Sequence, residues 1–305
     1  MSPKAVLPMD SYRLAQYTVT APCYVCGGGN NFDAELCRHC FAPMALAHQA
    51  SSQKIRPKMI AVLGASGAGK TVYLGMLTDM LSREASRLQL LARGAFSISL
   101  QQNTVAALAR GRFPDKTPCE PDSWHWVHCQ LRAPRQRKPL ELIMPDMAGE
   151  ALLEELDHPN SYPVVRAFLA KCSGVMILID GSQLVKGVKQ QDFFAMKMLT
   201  YLCDLDDHPK TGWPAKPVCL TFTKADECEA CFENPAAYAR RFAHGLWQHC
   251  QERFRYHEFF AAGVAGNCAY RQPTGRGRLR VPLRVEPRGI VEPFEWLVEQ
   301  LKRQK

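Results

Sequence analysis

The chain has 305 residues, 47% of them apolar and 22% charged, the proportions of a soluble globular protein with room for one α/β core and a small appendage. No apolar run approaches the roughly 18–20 residues that cross a bilayer, and residues 1–22 hold no apolar secretory core, so a cytoplasmic protein with no membrane span is expected. Thirteen cysteines, an odd count, argue for thiols or metal ligands rather than a disulfide framework in such a compartment.

In chain order, residues 1–22 read as a polar arm, 23–44 as a cysteine-rich unit, 45–56 as a linker and 57–305 as one α/β domain. Cys23, Cys26, Cys37 and Cys40 form two C-x2-C knuckles ten residues apart. Each knuckle offers two thiolates from one tight turn, and two knuckles close a tetrahedral Zn²⁺ site, so a zinc ribbon is expected. So small a unit buries little apolar surface, and metal binding would supply most of its folding energy. Four thiolates fill the site, which makes its role structural or adaptor-like. His39, inside the second knuckle, is left out of the ligand set. The bland alternative is four unpaired thiols. A further pair, Cys228 and Cys231, would need Cys250 and Cys268 to build a second site.

Behind the apolar run Met59–Leu63 stands Gly64-Ala-Ser-Gly67-Ala68-Gly69-Lys70-Thr71, which fits G-x4-G-K-[ST] between a strand and a helix. The glycines let consecutive N–H groups turn inward onto phosphate oxygens, Lys70 can reach the β/γ-phosphates, and the Thr71 hydroxyl can ligate Mg²⁺. The next segment, including Val72, brings a positive helix end to the same phosphates.

Strands are expected at Lys58–Leu63, Trp124–Leu131, Leu140–Met144, Gly174–Ile179, Val218–Thr223 and Glu258–Ala262, the second and third as a hairpin. Helices are expected at Lys70–Leu90, Asn103–Arg110, Tyr162–Ala170, Asp192–Leu205, Pro235–Arg253 and Pro293–Arg303. That alternation predicts a three-layer α/β/α sandwich on a mostly parallel sheet.

Two strand ends carry further chemistry. Asp146-Met-Ala-Gly149-Glu150 places a carboxylate for Mg²⁺ at a strand's carboxyl edge, and Gly149 has an N–H free to sense a γ-phosphate. Thr223-Lys224-Ala225-Asp226 follows another strand; a carboxylate there accepts from guanine N1–H and N2–H₂, and adenine lacks that donor pair.

Together these segments resemble the TRAFAC class of P-loop GTPases over about residues 57 to 305. The resemblance implies that Lys70 and Thr71 hold phosphate and Mg²⁺, that Asp146 and Gly149 form a second switch, and that Thr223, Lys224 and Asp226 read guanine. It nominates Thr117 as the first-switch threonine, Ala262 for the last base-contacting loop, and Glu150 where many members carry a water-orienting Gln. The Ser-Ala pair often found at that last loop is absent from Ala261-Ala262-Gly263. An extra helix is expected before Thr117, and Arg110 and Arg112 are candidates for a charge supplied in cis. With its zinc ribbon and a terminal segment Val291–Leu297, the chain also resembles bacterial double-GTPase proteins. That likeness implies GTP and GDP as ligands, a regulatory or effector protein as partner, a second GTPase among the options, and a role in signalling or conflict.

Alternative readings are a non-hydrolysing GTP-binding adaptor and a P-loop ATPase whose zinc ribbon and basic loop bind nucleic acid. The net charge of +9 gathers partly in that loop, at Arg271, Arg276, Arg278, Arg280, Arg284 and Arg288.

Overall fold

The computed structural model describes residues 20–52, 56–83, 88–132, 139–205, 215–271 and 279–303. The chain opens with two short antiparallel strands, β1 (Thr20–Pro22) and β2 (Gly29–Asn31), so the end of the expected arm is part of the cysteine-rich unit. Helix α1 (Ala45–Ser52) occupies the expected linker. Then come β3 (Lys58–Leu63), α2 (Lys70–Arg83), β4 (Gln89–Arg93), α3 (Gly94–Ala109), β5 (His125–Arg132), β6 (Leu140–Asp146), α4 (Gly149–Asp157) and α5 (Pro163–Lys171). The second half holds β7 (Gly174–Asp180), α6 (Gly181–Val185), α7 (Gln190–Leu205), β8 (Val218–Thr223), α8 (Glu229–Glu233), α9 (Pro235–Phe242), α10 (His244–Arg253), β9 (His257–Ala261), β10 (Asn267–Arg271), β11 (Leu279–Arg284) and α11 (Glu292–Arg303).

Seven strands form the central sheet in the order β4-β5-β6-β3-β7-β8-β9. From β6 to β9 all neighbours run parallel, while β5 is antiparallel to both β4 and β6. The expected three-layer sandwich is therefore present. Alternation along the central strands splits the core between the two faces. Met59, Ala61 and Leu63 of β3 point to one side with Ile177 of β7 and Phe168 of α5; Ile60 and Val62 point to the other with Leu74 and Leu77 of α2 and Leu297 of α11. A strand covered on both faces reads as an unbroken apolar run, which is why β3, β7 and β8 are legible in the sequence.

Elsewhere local signals mislead. The expected helix Lys70–Leu90 is described over Lys70–Arg83 and does not reach Leu90: Gln89–Arg93 is an edge strand that exposes Gln89 and Leu91 while burying Leu90, a period of two. The extra helix before Thr117 is α3, which starts at Gly94 rather than near Asn103. The expected helix Pro235–Arg253 breaks at Ala243, whose φ of −136° and ψ of 53° are not helical, so that α9 packs on β9 while α10 packs on α7. Residues 133–138, the expected hairpin turn, lie outside the described residues.

The cysteine-rich unit is not a tethered bead. Cys23, Val25, Cys37, Cys40, Ala42 and Met44 belong to one continuous apolar cluster with Met59 of β3 and Phe168 of α5. The Tyr24 hydroxyl donates to the Pro57 carbonyl, and the Lys171 ammonium donates to the Tyr24 carbonyl. No helix among the described residues is long and apolar enough to cross a membrane. Met44 is fully buried at this seam, so Met44→Ala should cost about 2–5 kcal/mol. Because the core is shared, calorimetry should show that loss as one lowered transition; an unshifted main transition beside a separate minor one would show an independent ribbon.

Candidate functional site

In an open, mostly parallel sheet, ligands bind beyond the carboxyl ends of the strands, next to the point where strand order reverses. Here β3 leads to neighbours on both sides, and the loops after β3, β6, β8 and β9 gather at one edge around a cavity of about 440 Å³. Ser66, Gly67, Gly69, Lys70, Thr71, Val72, Thr117, Gly149, Glu150, Thr223, Lys224, Asp226 and Ala262 line it. Three nominated residues sit just behind that lining. The Gly64 carbonyl accepts from Lys70 Nζ at 2.8 Å, the Ala68 carbonyl accepts from Thr223 Oγ1 at 2.7 Å, and Asp146 is buried beneath Thr71 and Thr117.

At the P-loop end, Gly67 and Gly69 line the cavity with φ of +77° and +88°, left-handed turns that favour glycine and suit a backbone cradle for an anion. Burial holds the Lys70 ammonium down at about 8, against the pull of Asp146 and Glu150. An anionic phosphate beside it would favour its charged form.

Asp146 is fully buried. Its Oδ2 accepts from Thr71 Oγ1 at 2.8 Å and from Thr117 Oγ1 at 2.9 Å, and the two hydroxyls are 3.0 Å apart. Its Oδ1 has no hydrogen-bond partner. Two hydroxyls and a carboxylate with an orphaned oxygen make an all-oxygen donor set that suits a hard divalent cation such as Mg²⁺. Three segments far apart in sequence supply it.

Gly149 packs hard against the P-loop: a Cβ there would lie 2.3 Å from Ser66 N and 2.5 Å from the Ala65 carbonyl carbon. The adjacent Glu150 is exposed. Its carboxylate accepts from Ser66 Oγ at 3.0 Å, faces Lys116 Nζ at 3.5 Å, and is held below its usual pKa range first by Ser66, then by Cys119 and Lys116. Arg110 and Arg112 are exposed and do not line the cavity; Lys116, on the same approach to Thr117, does.

At the other end, Lys224 adopts a left-handed backbone (φ 55°, ψ 29°), a position that costs a non-glycine residue roughly 1 kcal/mol or more. Its ammonium is held by Asp180 at the end of β7. Desolvation raises the Asp226 carboxyl, and the Arg280 charge opposes that rise. Phe113, Val264 and Arg280 also line this end; neither spacing nor motif marks them in the sequence. The basic loop is a hairpin, β10 with β11. Arg280 pairs with Asp226 and Glu227, Arg284 with Glu286, and Arg288 with Glu229, so these charges are partly spent inside the molecule. Arg276 and Arg278 lie outside the described residues.

In the cysteine-rich unit the four sulfurs of Cys23, Cys26, Cys37 and Cys40 lie within 4.8 Å of one another, with Cys23–Cys40 at 3.7 Å and Cys26–Cys37 at 3.6 Å. Zn–S bonds of about 2.3 Å in a tetrahedron place sulfurs roughly 3.8 Å apart, so the cage has the right size for Zn²⁺. The Cys40 thiol holds Cys23 down at about 5. His39 stays outside, its ring against Gly28. Cys228, Cys231, Cys250 and Cys268 build no such group; the N-terminal cage is the one cluster of metal-ligating type found among the described residues.

This layout is that of a P-loop nucleotide-binding domain of the GTP-binding kind. The chain belongs to the Double-GTPase 2 family, whose sequence profile matches residues 58–265. No curated protein matches it significantly. A crystal structure described as that of a nucleolar GTP-binding protein 1 from Plasmodium falciparum is similar at 12% identity, covering 81% of this chain and 88% of that one, with a TM-score of 0.42.

Two predictions follow from the geometry. Gly149→Ala must push its segment off the P-loop, at about 1–3 kcal/mol of stability, and should narrow any preference for nucleoside triphosphate over diphosphate in equilibrium titration. Removing metal with a strong chelator should lower the melting temperature of the whole chain, because the cysteine cage shares the apolar core of β3 and α5; readdition of Zn²⁺ should restore it.

Proposed function

We propose that the protein is a GTP-operated switch that hydrolyses GTP to GDP and phosphate and thereby changes its affinity for a partner protein. The observation that carries this reading is the convergence of Thr71, Thr117 and Gly149 on the phosphate end of one cavity, with Asp146 beneath them. P-loop amides and Lys70 bind the β- and γ-phosphates. Thr71, Thr117 and Asp146 would hold Mg²⁺, which when bound neutralises charge on the β- and γ-oxygens. Glu150, anchored by Ser66, orients the attacking water, and Lys116 offsets the repulsion between that carboxylate and the γ-phosphate. Water adds to the γ-phosphorus as the bond to the bridging oxygen breaks, leaving GDP. Thr223 ties the base loop to the P-loop, while Lys224, Asp226 and Ala262 hold the guanine. The Phe113–Thr117 and Asp146–Glu150 segments meet the γ-phosphate, so its loss releases both.

Such a switch fits a cytoplasmic signalling or conflict role with a regulatory protein, a second GTPase among the options. The nucleic-acid reading is weakened by the internal pairing of Arg280, Arg284 and Arg288. Single-turnover phosphate release from bound GTP is the test. Thr117→Ala should slow it roughly a hundredfold, and Asp226→Asn should cut GTP-over-ATP preference by about 10² or more. No release over hours would leave a binding adaptor instead.

A further inference from the structure

Asp226 can tell guanine from its analogues only if both carboxylate oxygens are held in the plane of the base. The sequence offers no serine at Ala261 to help hold them. The structure supplies other restraints. Oδ1 lies so close to Gly263 that a Cβ there would approach it to 2.6 Å, and the Val264 amide donates to the carboxylate. On the opposite side, Arg280 Nη2 of strand β11 stands 3.6 Å from Oδ2. Arg280 does not hang free. It pairs closely with Glu227, and its guanidinium carbon lies 5.5 Å from the Phe113 ring centre, on the segment that leads to Thr117. Both partners are largely withdrawn from water, with 19% of the Arg280 side chain and 8% of the Asp226 side chain exposed.

The hairpin that carries Arg280 is stitched to the base loop itself. Gly263 and Arg288 exchange backbone hydrogen bonds, each 2.9 Å, and Glu286 N donates to the Val264 carbonyl at 2.9 Å. A guanidinium delivered by so rigid a frame is a fixed charge.

We infer that Arg280 is a specificity-determining positioning residue: anchored by Glu227, it fixes the Asp226 carboxylate so that Oδ2 meets the 2-amino group of guanine. This rests on the reading of Asp226 as the base-contacting carboxylate. Arg280 touches the carboxylate rather than the reacting atoms, and it acts on recognition of the base. The β10–β11 hairpin thereby becomes part of the nucleotide site, although it follows the last strand of the central sheet.

The test compares GTP, ITP (which lacks the 2-amino group) and ATP by calorimetric titration of the full chain. The variants are Arg280→Ala, Arg280→Lys, Glu227→Gln and Asp226→Asn. Arg280→Ala should shrink the GTP:ITP affinity ratio about tenfold, Arg280→Lys should recover part of it, and Glu227→Gln should move it the same way by less. A general loss of fold would weaken all three nucleotides together. Should Arg280→Ala prove unfolded by its melting curve, Glu227→Gln carries the test, since it leaves the guanidinium in place. The inference is overturned if Arg280→Ala or Glu227→Gln leaves the ratio unchanged while Asp226→Asn collapses it. It is also overturned if Arg280→Ala binds GTP more tightly, which would make the guanidinium a competitor of the base. If Asp226→Asn itself leaves guanine preference intact, the base-reading assignment fails, independently of Arg280.

Discussion

A carboxylate with no exposure to water must be satisfied by its neighbours, and Asp146 imposes that demand on the whole phosphate end of the molecule. Two hydroxyls meet one of its oxygens, from the first turn of α2 and from the loop before β5, while the other oxygen stands without a partner. The P-loop, the Thr117 segment and the Gly149 turn are thereby drawn to one point. Gly149 can approach the P-loop backbone only because it has no side chain. Anything bound at that point would therefore act on all three segments at once.

The base end is joined to the phosphate end by a short mechanical link. Thr223 Oγ1 donates to the Ala68 carbonyl of the P-loop and to the Ile179 carbonyl of β7, so the ends of β8 and β7 and the P-loop share one hydroxyl. Beyond it the backbone turns left-handed at Lys224, and Asp180 holds that ammonium. Strain of this kind persists only where packing over-determines it. Here Ala225 is fully buried and its amide donates to the Ala262 carbonyl, which locks the turn from below.

The cysteine cage is built into the same solid. Its sulfurs back onto apolar residues continuous with β3, the strand that feeds the P-loop. Zn²⁺ bound in such a cage would supply folding energy to the surface it rests on, and packing would link its occupancy to P-loop stability. A ribbon that exchanged hydrogen bonds with water instead of Pro57 and Lys171 would have no such hold.

What the sequence determined alone is the local chemistry. A glycine pattern between a strand and a helix specifies a phosphate loop, unbroken apolar runs specify doubly covered strands, and two knuckles specify a cage, because each signal is completed within a dozen residues. Thr117, with no motif of its own, was reachable only through the resemblance to GTPases. The break at Ala243, the edge strand at Gln89–Arg93 and the hairpin carrying Arg280 had no such local mark, since each depends on which surface the chain meets after folding. Only the tertiary structure decided that a ribbon read as a unit of its own shares the core, and that an arginine read as part of a basic loop faces the Asp226 carboxylate. Burial and charge pairing act between residues distant along the chain, and sequence spacing does not encode those distances.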